Sequence, residues 1–175
     1  MSKLKAVFLD RDGTLIIEKN YIKNPADVAL EKEAAEGAEM LHKAGYALVI
    51  VTNQSGIARG FLSESDYQAV QDRVVSLLKT PVLTSYHCPH LENCDCRKPQ
   101  PGMLLKAIES FNIDPKTSFM MGDKESDIEA GRAAGVRTVL VRTGYGKNHE
   151  PNTKADFVAD TILDAARWIV PHEEL

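Results

Sequence analysis

The sequence predicts an α/β fold built on a doubly wound parallel sheet. Short apolar runs recur between amphipathic stretches with helical spacing, the alternation that gives strand, crossover helix and parallel strand. The runs are uniformly apolar, as strands covered on both faces must be. Several of them stop on a polar residue, with Asp10, Thr52 and Asp123 at such ends, where an open parallel sheet places its ligands.

Residues 5–9, KAVFL, form the first strand and stop at Asp10. Residues 13–30 lack periodicity and carry Gly13, Asn20, Asn24 and Pro25, which predicts a loop containing a hairpin. Ala34, Ala38 and Leu41 share one face of a helix expected over 32–44, with Gly45 as its stop. Residues 46–51, YALVIV, are the second strand, ending at Thr52. Ser63 suits an N-cap with Asp66 three residues on. The helix that follows carries Tyr67, Val70, Val74, Leu77 and Leu78 as one stripe and ends near Lys79. A third strand is expected over 82–86. Pro101 suits the first turn of a helix bearing Leu104, Leu105, Ile108 and Phe111. A strand over 118–121 closes on Gly122 and Asp123, and a helix over 127–134 stops at Gly135. A strand over 138–141 follows, and a terminal helix over 161–169 covers an end of the sheet. No repeat or linker interrupts this order, so residues 1–175 are expected to form one domain.

The chain has 175 residues, enough to bury a core without disulfide staples. Its formal net charge of -4 argues against a nucleic-acid binder, which needs a basic face to displace phosphate counterions. No apolar run reaches the roughly 18 residues of a membrane span, and residues 1–6 lack the anatomy of a signal peptide. A cytoplasmic monomer with no membrane or nucleic-acid partner is therefore expected.

Residues 10–14, DRDGT, are the most informative segment. An Asp just past a buried strand projects into the crevice, and a second Asp two residues later reaches the same point once Gly13 lets the backbone turn. Crowded carboxylates raise one another's pKa unless a cation joins them, and Mg²⁺ is the oxygen-seeking ion suited to phosphate chemistry. On their own, two Asp residues can also simply end a strand and cap a turn.

Residues 88–96 concentrate Cys88, Cys94 and Cys96, the only cysteines of the chain, around His90. Three thiolates and an imidazole suit a closed, structural Zn²⁺ site of Cys₃His type, while an odd number of cysteines in one loop makes a poor disulfide framework. The spacing is not that of a zinc finger. Arg97 and Lys98 follow at once, so zinc would fold the loop and thereby fix Lys98.

Four elements in order, Asp10/Asp12, Thr52, Lys98 and the acidic segment GDKESD at 122–127, resemble the haloacid-dehalogenase (HAD) superfamily of phosphohydrolases over residues 5–143. The resemblance implies a HAD-like, Rossmann-like sheet with a minimal cap. It implies Asp10 as nucleophile and Asp12 as acid and then base. Mg²⁺ would be held by the Asp10 carboxylate, the Asp12 backbone carbonyl and Asp123, and Thr52 and Lys98 would steady the transferring phosphoryl group. Asp127 would lie behind these ligands or cap a helix.

Within the superfamily, NQSGIARG at 53–60, CRKP at 96–99, Gly102-Met103 and Asp123-Lys124 are similar to the heptose bisphosphate phosphatases. That likeness implies a small sugar phosphate as substrate, hydrolysed at C7 to leave heptose 1-phosphate for lipopolysaccharide or surface glycans. Substrate contacts would come from Glu18, Lys19, Asn20 and Tyr21, from Asn53, Gln54 and Ser55, and from Arg97 and Lys124. The zinc loop is shorter here than in some members. Histidinol-phosphate phosphatases share the DxD and zinc-loop motifs, and a DNA 3′-phosphatase shares a segment like TNQ…G…RG. A catalytically silent zinc scaffold is the remaining alternative, against which both Asp10 and Asp12 are intact.

Overall fold

The computed structural model describes residues 2–170. Strands β1 (Ala6–Leu9), β2 (Ala47–Asn53), β3 (Thr84–Cys88), β4 (Phe119–Gly122), β5 (Arg137–Val141) and β6 (Phe157–Ala159) pair in parallel, in the order β3-β2-β1-β4-β5-β6. The helices are α1 (Ala34–Lys43), α2 (Glu64–Leu78), α3 (Gly102–Phe111), α4 (Glu125–Ala133), α5 (Gly146–His149) and α6 (Ile162–Ile169).

Successive strand residues point to opposite faces, and each face has its own core. Val7, Leu9, Leu48, Ile50, Met121 and Val139 pack with residues of α1, α2 and α6 on one side. Phe8, Val49, Val51 and Met120 pack with Met103, Leu104 and Ala107 of α3 and Ala130 of α4 on the other. This double coverage is why the strands read as unbroken apolar runs. The chain moves outward from β1 to β2 and β3, then returns to β4 on the other side of β1. The topological switch therefore lies between β1 and β4, and a crevice opens beyond their carboxyl ends.

The expected elements form with local differences. Ser63 and Asp66 make a capping box, the Ser63 Oγ accepting the Asp66 amide at 3.0 Å and Asp66 Oδ2 accepting the Ser63 amide at 2.8 Å. In the loop over 13–30, Ile16 and Leu30 form an antiparallel bridge and the Ile17 amide donates to Ala29 O at 2.9 Å. The third strand starts two residues later than expected and continues to Cys88, because its register runs from Val49↔Thr84 to Asn53↔Cys88. Pro101 sits at the N-cap of α3, one residue before its first turn. Helix α4 begins at Glu125, ahead of the expected 127, because Asp127 Oδ2 accepts the Lys124 amide at 3.1 Å and closes the first turn. The short α5 and the edge strand β6 carry too few residues to show a period. Among the described residues, no helix is long and apolar enough to cross a membrane.

Candidate active site

The site is built where β1 and β4 end side by side. The Asp10 amide donates to Met121 O of β4 at 3.0 Å, which carries the Asp10 carboxylate to the seam between the strands. The chain then turns tightly: the Arg11 carbonyl accepts the amides of Thr14, Leu15 and Ile16 at 3.2, 2.9 and 3.1 Å. Gly13 occupies the left-handed region at φ +83°, and a Cβ there would fall onto the Asp123 carboxylate. Asp123, at the end of β4, is thus packed beneath the turn. Its Oδ2 accepts the Tyr145 amide at 2.9 Å and its Oδ1 faces the Thr14 hydroxyl at 3.4 Å.

Lys98 is the buried cation of this cluster, 3% exposed. Its Nζ donates to Asp10 Oδ1 at 2.8 Å, to Asp127 Oδ1 at 2.7 Å and to Val51 O at 2.8 Å. Three donors thereby meet three acceptors, which a compact ammonium can do and a planar guanidinium cannot. Burial opposes its charge, but Asp10 and Asp127 outweigh that and hold its pKa above the usual lysine value. Its main chain is clamped as well: Asn53 Nδ2 donates to Lys98 O and the Lys98 amide donates to Asn53 Oδ1, both at 3.0 Å.

One carboxylate oxygen from each of Asp10, Asp123 and Asp127 lies within 4.8 Å of the others. Burial, then the charge of Asp10 and of Asp127, pushes the Asp123 carboxyl up to about 8. Burial and Asp10 push Asp127 up to about 6 against the pull of Lys98. One lysine does not neutralise this crowd, and the oxygen-only donor set fits a hard divalent cation such as Mg²⁺. The consequence for stability has a definite sign. Both groups bind protons more tightly folded than at their ordinary value of 3.8, so without metal the stability they contribute falls as pH rises from about 4 to about 8. Mg²⁺ replaces the protons, so its stabilising shift in Tm should grow from pH 5 to pH 8. Melting curves of wild type and Asp123→Asn, with and without Mg²⁺, check this. A wild-type Mg²⁺ shift that is flat with pH, or equal in the variant, would show that the cluster holds no cation.

Asp12 faces the same space from the other side of the turn. Its Oδ2 accepts Arg11 Nε and Gln54 Nε2, each at 2.9 Å, and its Oδ1 accepts Arg11 Nη2 at 3.2 Å. Gln54 Nε2 also lies 2.8 Å from the Thr52 hydroxyl, tying the end of β2 to Asp12.

These groups open into one crevice of about 600 Å³. Asp10, Asp12, Thr52, Lys98, Glu18, Asn20, Tyr21, Asn53, Gln54, Ser55, Arg97 and Lys124 all line it. Asp123 lies fully buried in the carboxylate cluster below. Lys19 is not brought in: its ammonium donates to Asp27 O at 2.6 Å, within the loop that carries it. Glu18 accepts the Asn20 amide at 2.7 Å, and burial followed by the charge of Asp12 raises its pKa. Arg59, which the sequence offered only as part of the NQSGIARG segment, lines the crevice, as do Ser126, Tyr145 and His149. Nothing in their residue types marks them, since they reach the site only through the segments after β2, β4 and β5, Ser126 on α4 and His149 on α5.

Cys88, His90, Cys94 and Cys96 converge at the end of β3. Cys94 Sγ lies 3.5 Å from Cys88 Sγ and 3.7 Å from Cys96 Sγ, and His90 Nδ1 lies 3.6 and 3.4 Å from Cys88 and Cys96 Sγ. With zinc bonds of about 2.3 Å to sulfur and about 2.05 Å to nitrogen, tetrahedral edges come to about 3.8 and 3.6 Å. The Cys88 and Cys96 sulfurs are drawn closer together than such an edge, as a cross-linked pair. A lone cross-link there would give no reason for a third thiol and an imidazole to crowd around it, whereas a four-donor cage does.

Comparison with known proteins agrees with this geometry. Residues 95–165 match the family model described as HAD-hydrolase-like. The chain is 42% identical to D-glycero-beta-D-manno-heptose-1,7-bisphosphate 7-phosphatase of Pasteurella multocida, covering 94% of this chain and 96% of that one. It is 40% identical to D-glycero-alpha-D-manno-heptose-1,7-bisphosphate 7-phosphatase of Photorhabdus laumondii, covering 88% and 91%. Its structure superposes at a TM-score of 0.90 on D,D-heptose 1,7-bisphosphate phosphatase from B. bronchiseptica, solved with magnesium and phosphate, at 27% identity and 97% and 99% coverage. With identity of this level sustained over nearly the whole chain and a matching HAD-like core, the chain belongs to the D-glycero-D-manno-heptose-1,7-bisphosphate 7-phosphatase family.

Proposed function

We propose that this chain is a Mg²⁺-dependent phosphatase that removes the C7 phosphate of D-glycero-D-manno-heptose 1,7-bisphosphate by way of an aspartyl-phosphate on Asp10. The observation that carries the reading is the Asp10–Lys98–Asp127 ion network, set beside Asp12 at the mouth of a crevice. When bound at Asp10, the Asp12 carbonyl and Asp123, Mg²⁺ would neutralise phosphoryl oxygens and align them for attack. Lys98 holds one Asp10 oxygen, which orients the carboxylate and leaves the other oxygen to attack phosphorus. Asp12 protonates the departing sugar oxygen and later takes a proton from water. The Thr52 hydroxyl and Lys98 stabilise the charge of the transferring group.

Substrate choice follows from the rim. Arg59, Arg97 and Lys124 line the crevice beyond the carboxylates and suit a second phosphate. They disfavour the cationic ammonium of histidinol phosphate. The acidic net charge disfavours DNA as substrate. Identity to beta-named and alpha-named relatives is nearly equal, 42% and 40%, so the two anomers must be compared directly. The reading extends to one domain over residues 1–175, supported by two cores that share one sheet, and to a cytoplasmic monomer that supplies lipopolysaccharide or surface glycan assembly. Phosphate release with Mg²⁺ should be measured on both anomers of the bisphosphate, with histidinol phosphate and 3′-phosphorylated DNA alongside. Preference for one heptose anomer is expected. Preference for histidinol phosphate or DNA would keep the chemistry and overturn the substrate, and no hydrolysis of any would leave the zinc scaffold.

We assign the Cys₃His cage to structural zinc. Its physical role is to order the loop that ends at Lys98, two residues past the Cys96 ligand. Cys94→Ala should lower zinc content from about one ion per chain and lower Tm before it lowers turnover. Elemental analysis with melting curves checks this. A fully stable, zinc-free wild type with normal activity would remove the assignment.

A further inference from the structure

Arg11 lies between the two carboxylates of DRDGT and has no part in the chemistry above. Its side chain is 1% exposed, and it does not line the crevice. Both ends of the residue are held. Three backbone amides converge on its carbonyl, and its guanidinium lies over the buried Tyr67 ring at 5.5 Å. Tyr67 is in turn stacked on His87 with ring centroids 3.9 Å apart. Nε and Nη2 fork onto the two oxygens of Asp12 at 2.9 and 3.2 Å, while Nη1 is buried without a partner. Among the described residues, Asp12 is thus the guanidinium's only hydrogen-bond partner.

We infer that Arg11 is a positioning residue: its fixed, planar fork holds the Asp12 carboxylate in the orientation from which it passes a proton to the leaving oxygen. This rests on the reading of Asp12 as acid and base. In the step concerned, an Asp10 oxygen bonds to phosphorus as the ester O–P bond breaks, and the departing oxygen takes the proton of Asp12. Water later bonds to phosphorus as the Asp10–phosphorus bond breaks, returning its proton to Asp12. A carboxylate on a single rotatable stem must stay aimed through both transfers. A fork anchored by an aromatic face and by its own backbone restrains both oxygens at once. Gln54, on only one oxygen, restrains the rotation less.

A structural ion pair would stabilise the fold without caring which ester is cleaved, and leaving groups tell the two apart. A basic alkoxide needs a proton to depart, whereas p-nitrophenolate does not. kcat/KM should therefore be measured on alkyl and aryl phosphate monoesters graded in leaving-group pKa, for wild type, Arg11→Met, Arg11→Lys and Asp12→Asn. Loss of positioned proton transfer lowers rates by about 10²–10⁴-fold. Arg11→Met should lose about 100-fold or more on alkyl esters and less than about threefold on p-nitrophenyl phosphate. Arg11→Lys keeps the charge but not the fork and should show the same split. Because both rates are read on one sample, their ratio is independent of how much variant is folded. Equal losses on all esters in the Arg11 variants, with a selective loss in Asp12→Asn, would overturn the inference while sparing the role of Asp12. An unselective Asp12→Asn would overturn both.

Discussion

Asp10→Asn should reduce phosphate release by at least about 10⁴-fold, because the amide oxygen is a poor nucleophile and, among the described residues, no second carboxylate is placed to replace it. Asp123 is tied to the Tyr145 amide and Asp127 to Lys98 and the Lys124 amide, so neither is free to attack. Asp12 is held by Arg11 and Gln54. The side chain retains its size and can still accept from Lys98, so the variant should fold. Steady-state phosphate release with Mg²⁺ measures the loss, and circular dichroism confirms the fold. Activity within about tenfold of wild type would remove Asp10 from the chemistry.

Lys98→Met should damage stability and activity together. The ammonium bridges Asp10, Asp127 and Val51 O in a fully enclosed position. Taking away one partner of a buried ion pair costs about 3–5 kcal/mol, since the remaining charges stay uncompensated. At 2–4 °C per kcal/mol for a chain of this size, Tm should fall by about 6–20 °C without added metal. Mg²⁺ should restore part of that fall, because it supplies the positive charge the carboxylates have lost. Activity should not return with it: the buried charge that holds Asp10 in place is missing, a loss of about 10²–10³-fold. Lys98→Arg should not rescue, because a guanidinium cannot direct donors at three acceptors arranged around one point. Thermal melting with and without Mg²⁺, beside phosphate release, separates the two effects. A variant with unchanged Tm and turnover would mean that Lys98 only fills space.

Much of the site was legible because its residues sit at strand ends. Asp10, Thr52 and Asp123 each follow an apolar run, and a parallel sheet collects such positions at one edge. The cysteine loop was legible for a different reason, since a rare residue type was concentrated around one histidine. Lys98 needed the family resemblance, because an isolated lysine in a sequence carries no sign of burial. Arg11 had no signal at all: between two Asp residues it resembles a solvated spacer, yet it is among the most buried side chains of the chain.

The sequence by itself determined the doubly wound architecture, the carboxylate pair, the four thiol and imidazole donors and the family. These follow from local periodicity, residue chemistry and short spacing, all properties of neighbouring residues. Only the tertiary structure decided which charges meet. It brought Lys98 to Asp10 across 88 positions and set Asn53 against the Lys98 backbone across 45. It also buried Asp123 under Gly13, turned Lys19 away to Asp27 and brought Arg59 to the rim. The reason is physical. Burial and long-range ion pairing depend on how strands are ordered in the sheet and where their loops return. Here the order is fixed by packing two apolar faces at once, which no single segment encodes.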